Sequence, residues 1–134
     1  MTDEPRQAIC ACGQLTVTVR GEPEHHHACA CTKCQRASGS VMTVTAWFPK
    51  DQIVSVEGET LMWRTDGPGT EVYRCKRCGS GGYFHTGAYL PHCVGIDVGH
   101  FADPGFPAPP HIHWWPNRPH WLGKPEGIEL LDGN

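Results

Sequence analysis

The sequence has no long apolar run, no excess of basic residues and no extended helical pattern. No stretch of about 18 or more apolar residues occurs, which excludes a membrane-spanning helix by length. The net charge of −3 gives no positive field for nucleic acid or an anionic membrane surface. The start of the chain lacks a basic segment followed by an apolar one, so we expect no secretory signal and a cytoplasmic location.

The composition predicts one mostly β domain. A length of 134 residues suits a single domain over residues 1–134, and the 16 glycines and 12 prolines indicate many turns. We expect residues 1–9 to form a loose N-terminal arm. The proline- and aromatic-rich segment 104–134 is expected to wrap the domain as a packed, extended segment, because its three tryptophans would otherwise be exposed.

Several short segments have the pattern of strands. Leu15, Val17 and Val19 alternate with threonines, which predicts a half-buried strand. Residues 32–40 predict one short helical turn that ends at Gly39. We expect a turn over 21–27, an exposed position for its three histidines and a hairpin connection at DGPG (66–69). Further strands are predicted in 41–48, 52–58, 60–65, 70–75 and 93–99, and the segment 75–87 is predicted to form a turn followed by a strand.

Eight cysteines are many for a chain of this length. Without an export signal, the reducing cytoplasm makes disulfides the weaker interpretation. Two of the cysteine groups contain Cys-x-Cys, whose neighbouring sulfurs are poorly placed for a disulfide with each other. The cysteines are therefore predicted to bind metal.

One pair of groups shares a feature that links them. Cys12 and Cys78 are each followed by glycine, which lets the backbone curl and direct N–H groups at a sulfur atom. We therefore pair the group of Cys10 and Cys12 with the group of Cys75 and Cys78 as one site with four thiolates and no open position, the pattern of a structural zinc. Its predicted ligands are Cys10, Cys12, Cys75 and Cys78.

A second site is predicted from the crowded segment that remains. Cys29, Cys31 and Cys34 offer three ligands, and three protein ligands with an exchangeable fourth position are typical of a catalytic zinc. Two alternatives stay open. Iron also accepts thiolates, and a fourth side chain would close the site. The candidates for that fourth ligand are Cys93, His27, His85 and His100.

At these residues the chain resembles the glutathione-dependent formaldehyde-activating enzyme family, also called the centromere protein V family. The matching motifs are CACG (10–13), CACTKCQRASG (29–39), CKRCGS (75–80), VGHFADP (98–104) and HIHWWPNRPHW (111–121). The resemblance implies an Mss4-like β-tent fold stapled by two zinc ions per chain. It also implies the division of cysteines into a structural and a catalytic site that we reached from spacing. The chain departs from the family in having Ala28 and Ala30 where aromatic and histidine residues are common, which we expect to alter the pocket beside the metal.

The resemblance further implies a zinc-dependent carbon–sulfur lyase that acts on a thiol adduct such as S-hydroxymethylglutathione. Its small-molecule partners would be a thiol such as glutathione and an aldehyde. Lys33 and Arg36 lie inside the second cysteine motif, so they are candidates to bind the carboxylates of the thiol. The alternative is a non-catalytic, zinc-stabilised binding domain.

Overall fold

The computed structural model describes residues 4–65 and 69–134 and is mostly β, as predicted. It contains one α-helix, α1 (Thr32–Ser38), and three short 3₁₀ helices, at Lys50–Gln52, Val98–Phe101 and Trp115–Asn117. The strands are β1 (Arg6–Ile9), β2 (Thr16–Val19), β3 (His25–Cys29), β4 (Thr43–Pro49), β5 (Ile53–Glu57), β6 (Thr60–Arg64), β7 (Glu71–Cys75), β8 (Tyr83–His85), β9 (Cys93–Asp97), β10 (His111–His113) and β11 (Glu129–Leu130).

By its internal contacts the chain divides into two compact units, each built from two segments. The first unit comprises the chain up to His25 and Ala46–Pro104, and the second comprises His26–Thr45 and Gly105–Asn134. The single domain expected over residues 1–134 stays a prediction. In the described ranges no helix has the length and apolar character that crossing a membrane requires.

The first unit contains an antiparallel sheet in the order β1-β2-β5, and its central strand is more buried than predicted. Leu15, Val17 and Val19 are buried, as the alternation indicates, but Thr18 is also only 8% exposed. β2 is the central strand and pairs with β1 on one side and β5 on the other. The same unit carries the antiparallel run β9-β8-β7-β6, in which β6 and β7 form the predicted hairpin. Most of the DGPG connection (66–68) lies outside the described residues.

The loose arm predicted over residues 1–9 is wrong for residues 6–9, which form β1. Their backbone pairs with β2 from Arg6 opposite Val19 to Ile9 opposite Thr16. Ala8 is 2% exposed, so this short strand contributes to the core. The guanidinium group of Arg6 also lies 3.1 Å from the carboxylate of Glu22. Backbone pairing with a central strand orders a segment in which two of the four side chains are polar.

The second unit contains the parallel strands β11-β10-β3 together with α1. Its core consists of Ala28, Ala30, Ile112 and Trp115, against which Leu122 packs. Two expectations need correction here. The predicted turn over 21–27 gives way to β3 from residue 25 onward. In the C-terminal segment Trp115 is buried, but Trp121 is 76% exposed, because the turn at residues 119–122 directs Leu122 rather than Trp121 toward the core.

Candidate functional site

Four sulfur atoms meet in the first unit, from the two groups that the sequence analysis paired. Cys10, Cys12, Cys75 and Cys78 place their Sγ atoms within 4.8 Å of one another. The Sγ atom of Cys12 lies 3.7 Å from that of Cys10 and 3.7 Å from that of Cys75. The structure therefore brings together residues that are more than sixty positions apart.

The glycines that suggested this grouping have the expected backbone conformation. Gly13 has φ = +86° and Gly79 has φ = +77°, a region that favours glycine because it lacks a Cβ atom. After the first reversal, the N–H group of Leu15 donates to the sulfur of Cys10 at 3.2 Å. After the second cysteine pair, the N–H group of Gly79 donates to the carbonyl of Cys75 at 2.9 Å. The first turn thus closes on the sulfur of Cys10, and the second closes on the carbonyl group of Cys75.

Hydrogen-bond donors around Cys75 and Cys78 favour the ionised form of their sulfur atoms. Burial opposes ionisation of the Cys75 thiol, but N–H groups of Cys78 and Arg77 and the side-chain amide of Gln14 lower its pKa. Gln14 Nε2 lies 3.0 Å from Cys75 Sγ. The hydroxyl of Ser80, 3.2 Å from Cys78 Sγ, lowers the pKa of Cys78 to about 5. Thiolate is the form of cysteine that binds a metal ion.

The spacing of these sulfurs suits a four-coordinate metal ion. With metal–sulfur bonds of about 2.3 Å, the edge of a regular tetrahedron is about 3.8 Å. The two Sγ–Sγ distances of 3.7 Å from Cys12 agree with that value and are far from the disulfide bond length of about 2.05 Å. All eight cysteines are free thiols. The donor set therefore fits the zinc that the resemblance implies.

The second cluster is built within one short segment of the second unit. Cys29 ends β3, Cys31 is the N-cap residue of α1 and Cys34 lies in the first turn of that helix. Their Sγ atoms lie within 4.8 Å of one another. The N–H group of Cys34 donates to the sulfur of Cys31 at 3.3 Å, and the helix ends at Gly39 with φ = +71°, as predicted.

The three thiols of the second cluster differ in how readily they ionise. Burial raises the pKa of Cys29 to about 12, and burial also raises the pKa of Cys34. Burial also acts to raise the pKa of Cys31, but hydrogen bonds from the N–H group of Cys34 and neighbouring donors outweigh burial, so the pKa of Cys31 is lowered. A bound cation would stabilise all three as thiolates, which again matches the chemistry of a zinc site.

The candidates for a fourth ligand are divided between the two units. Cys93, His85 and His100 belong to the first unit, where Cys93 groups with Glu24 and His92. His27 belongs to the second unit and lies two residues before Cys29 on β3, so both side chains project from the same face of the strand.

His113, on β10, is a neighbour of the second cluster. In the parallel pairing of β10 with β3 it lies opposite Cys29, and residues in register project from the same face. Its ring centroid is 5.7 Å from that of His27, and its Nδ1 atom is 3.3 Å from the carbonyl oxygen of Gly133. The sequence signal for this strand was the alternation His-Ile-His over residues 111–113, in which Ile112 is buried and the two histidines are partly exposed.

The remaining site predictions have clear positions. Lys33 and Arg36 are exposed on α1, three residues apart and therefore on neighbouring positions of the helix surface. Their contact with substrate stays a prediction. Ala28 and Ala30 are fully buried in the core of the second unit with Ile112. The expectation that these alanines alter the pocket beside the metal stays a prediction.

These observations define a mostly β protein with one four-thiol and one three-thiol cluster in metal-binding arrangements. The chain belongs to the glutathione-dependent formaldehyde-activating enzyme family, whose model matches residues 5–118.

Curated fungal proteins resemble part of the chain. One from Aspergillus flavus, named "Putative glutathione-dependent formaldehyde-activating enzyme", is 30% identical over 73 residues, which are 54% of this chain and 38% of that protein. One of the same name from Penicillium rubens is 32% identical over 71 residues, which are 52% of this chain and 37% of that protein. The chain thus spans less than two fifths of the length of the curated relatives it matches.

The hydrogen bonds of Gln35 can be tested as contacts that hold the segment of the second cluster in place. Its Nε2 atom donates to the carbonyl oxygens of Ala30 at 2.8 Å and Asn117 at 2.9 Å. Gln35→Glu keeps the shape but places a carboxylate against two carbonyl oxygens. We expect it to lower the free energy of unfolding by about 2 kcal/mol at neutral pH, measured by chemical denaturation.

Gln35→Met is the control, because it removes both hydrogen bonds without adding charge. It should cost about 1 kcal/mol. If Gln35→Glu is as stable as the native chain, these two hydrogen bonds do not hold the segment in place.

Proposed function

We propose that the chain is a zinc-dependent carbon–sulfur lyase of the glutathione-dependent formaldehyde-activating type, acting on a thiol adduct such as S-hydroxymethylglutathione. The observation that carries this proposal is the group of three sulfur atoms at the junction of β3 and α1, within 4.8 Å of one another. Family membership and the names of the fungal relatives support the same reaction class.

The two clusters would have different roles. A four-thiolate site has no open position and is typical of structural zinc, whereas a three-thiolate site leaves one position for substrate. When bound there, the second ion would supply a Lewis-acid centre that favours the thiolate form of a substrate thiol. The structural ligands would be Cys10, Cys12, Cys75 and Cys78, and the catalytic ligands Cys29, Cys31 and Cys34.

The residues around the second cluster suit a thiol that carries carboxylates. Glutathione has two carboxylates, and the exposed side chains of Lys33 and Arg36 beside Cys34 offer two cations to them. A charge-assisted contact of this kind would orient the thiol toward the sulfur cluster. Proximity of the thiol and the aldehyde carbon then favours formation of the carbon–sulfur bond.

His113 would move the proton of this reaction. If its Nδ1–H group donates to the carbonyl of Gly133, its Nε2 atom carries the lone pair. That atom would accept the thiol proton and return it to the hydroxyl oxygen of the adduct. When the adduct breaks down, the hydroxyl proton leaves, the carbon–sulfur bond breaks and the proton ends on the thiol. No net proton is gained or lost.

One observation favours the second candidate function, a non-catalytic zinc-stabilised binding domain. Leu61, Met62 and Trp63 on β6, the last strand in its sheet order, are 46%, 39% and 47% exposed. Consecutive exposed apolar residues on a terminal strand are suited to binding a partner protein. Lyase activity above the uncatalysed reaction separates this function from the proposed one.

Replacing one ligand from each cluster tests the assignment of roles. Cys78→Ser removes a ligand that joins distant parts of the chain, so we expect a largely unfolded or insoluble protein. Cys31→Ser affects a site within one short segment, so it should remain folded while losing thiol binding and lyase activity. The measurements are thermal melting and S-hydroxymethylglutathione turnover for both variants and the native chain. Equal unfolding of the two variants, or full activity of Cys31→Ser, contradicts the assignment.

Substitution of the two cations tests the proposed substrate class. Lys33→Gln and Arg36→Gln should each weaken glutathione binding several-fold, because each removes an ionic contact worth about 1 kcal/mol at an exposed site. Binding is measured as the change in the absorption bands of a cobalt-substituted second cluster during titration with glutathione.

The matched control is Lys124→Gln, which removes an equally exposed lysine of the same unit outside the cysteine motif. It should leave the glutathione titration unchanged. If all three variants bind glutathione as the native chain does, neither cation contacts the carboxylates. Absence of any spectral response in the native chain would favour the binding domain.

A further inference from the structure

A third group of metal-binding side chains lies in the first unit, centred on the carboxylate of Glu24. Its Oε2 atom is 2.6 Å from His92 Nε2, 3.5 Å from His25 Nε2 and 3.6 Å from Cys93 Sγ. Cys93 is fully buried, whereas the other three side chains are between 38% and 56% exposed. A buried sulfur thus lies beneath a solvent-accessible set of one oxygen and two nitrogen donors.

Backbone hydrogen bonds hold the two dipeptides that form this group, residues 24–25 and residues 92–93. The N–H group of Glu24 donates to the carbonyl of Trp47 at 2.8 Å, and the carbonyl of His92 accepts from Lys50 at 3.0 Å. His25 begins β3 and Cys93 begins β9. Donors placed on the ends of strands need little ordering before they bind an ion.

The donor atoms of Glu24, His92 and Cys93 all lie within 4.8 Å of one another, so these three can share a tetrahedral ion after a small adjustment, and His25 lies beside Glu24. Bonds of about 2.0 Å to oxygen and nitrogen and 2.3 Å to sulfur give edges of about 3.5 Å between oxygen and sulfur and 3.3 Å between oxygen and nitrogen. The distances from Glu24 to Cys93 and His25 agree with these edges. The shorter distance to His92 is that of a hydrogen bond, and this half-exposed imidazole has room to withdraw.

We propose that Glu24, His92 and Cys93 form a third metal site that binds a zinc-type divalent ion, with His25 beside Glu24 as the candidate for a fourth ligand. Mixed sulfur, nitrogen and oxygen donors are ligands that zinc and cobalt share. One thiolate and one carboxylate neutralise the charge of a divalent ion. The open histidine side makes this a site that exchanges with solvent rather than a closed structural centre.

Cobalt titration of the zinc-loaded chain tests this site. The native chain should take up one further equivalent of Co²⁺, with visible bands of tetrahedral cobalt and a near-ultraviolet band from sulfur bound to cobalt. His92→Gln should weaken this binding at least about tenfold. Cys93→Ala should abolish the sulfur band. His120→Gln, at an exposed histidine outside the group, is the control and should leave the titration unchanged.

The readout is the difference between native and variant chains, so it does not depend on what the two cysteine clusters hold. Thermal melting of His92→Gln, a surface substitution, confirms that the variant is folded. The proposal is overturned if the native chain binds no further cobalt. It is equally overturned if the additional cobalt binds without a sulfur band. The same holds if His92→Gln binds the additional cobalt as tightly as His120→Gln does.

Discussion

The approach of four sulfur atoms from two distant segments is the constraint on which the first unit depends. Thiolates at 3.7 Å repel one another unless a cation lies between them, so the cluster and a bound ion stabilise each other. Gly81 shows how closely the chain is fitted here. A Cβ atom at this position would lie 2.7 Å from the Cβ atom of Cys10, and its φ of +72° also favours glycine. The backbone conformation at Gly81 and the position of Cys10 in the sulfur cluster therefore depend on each other.

The second cluster is formed within one short segment and does not join distant parts of the chain. Its three cysteines lie within six residues, and the N-cap geometry of α1 alone brings Cys31 and Cys34 together. Such a site costs little loop-closure entropy and can lose its ion without separating distant strands. This local construction would suit the exchangeable centre proposed for this cluster. The neighbouring His113 comes from a distant strand, β10, and lies opposite Cys29.

The sequence predicted best what local chemistry determines. Glycine after Cys12 and Cys78 identified the four-sulfur group, and Gly39 marked the end of α1. Pairing between distant strands was harder to predict. The register that places His113 beside Cys29 follows from parallel pairing, which leaves no mark in either short motif. The Glu24 group was missed for the same reason, since its halves are two dipeptides far apart in the chain.

X-ray absorption at the zinc edge tests the central claim, that both cysteine clusters hold zinc and only one is open, most directly. The chain loaded with two equivalents of zinc should show an average of about 3.5 sulfur ligands per ion at about 2.3 Å, the mean of a four- and a three-sulfur site. Saturating glutathione should raise that average toward four. A shell of mainly nitrogen and oxygen, or a chain that retains no zinc, would contradict the account. An average of four sulfurs before glutathione is added would contradict the open second site.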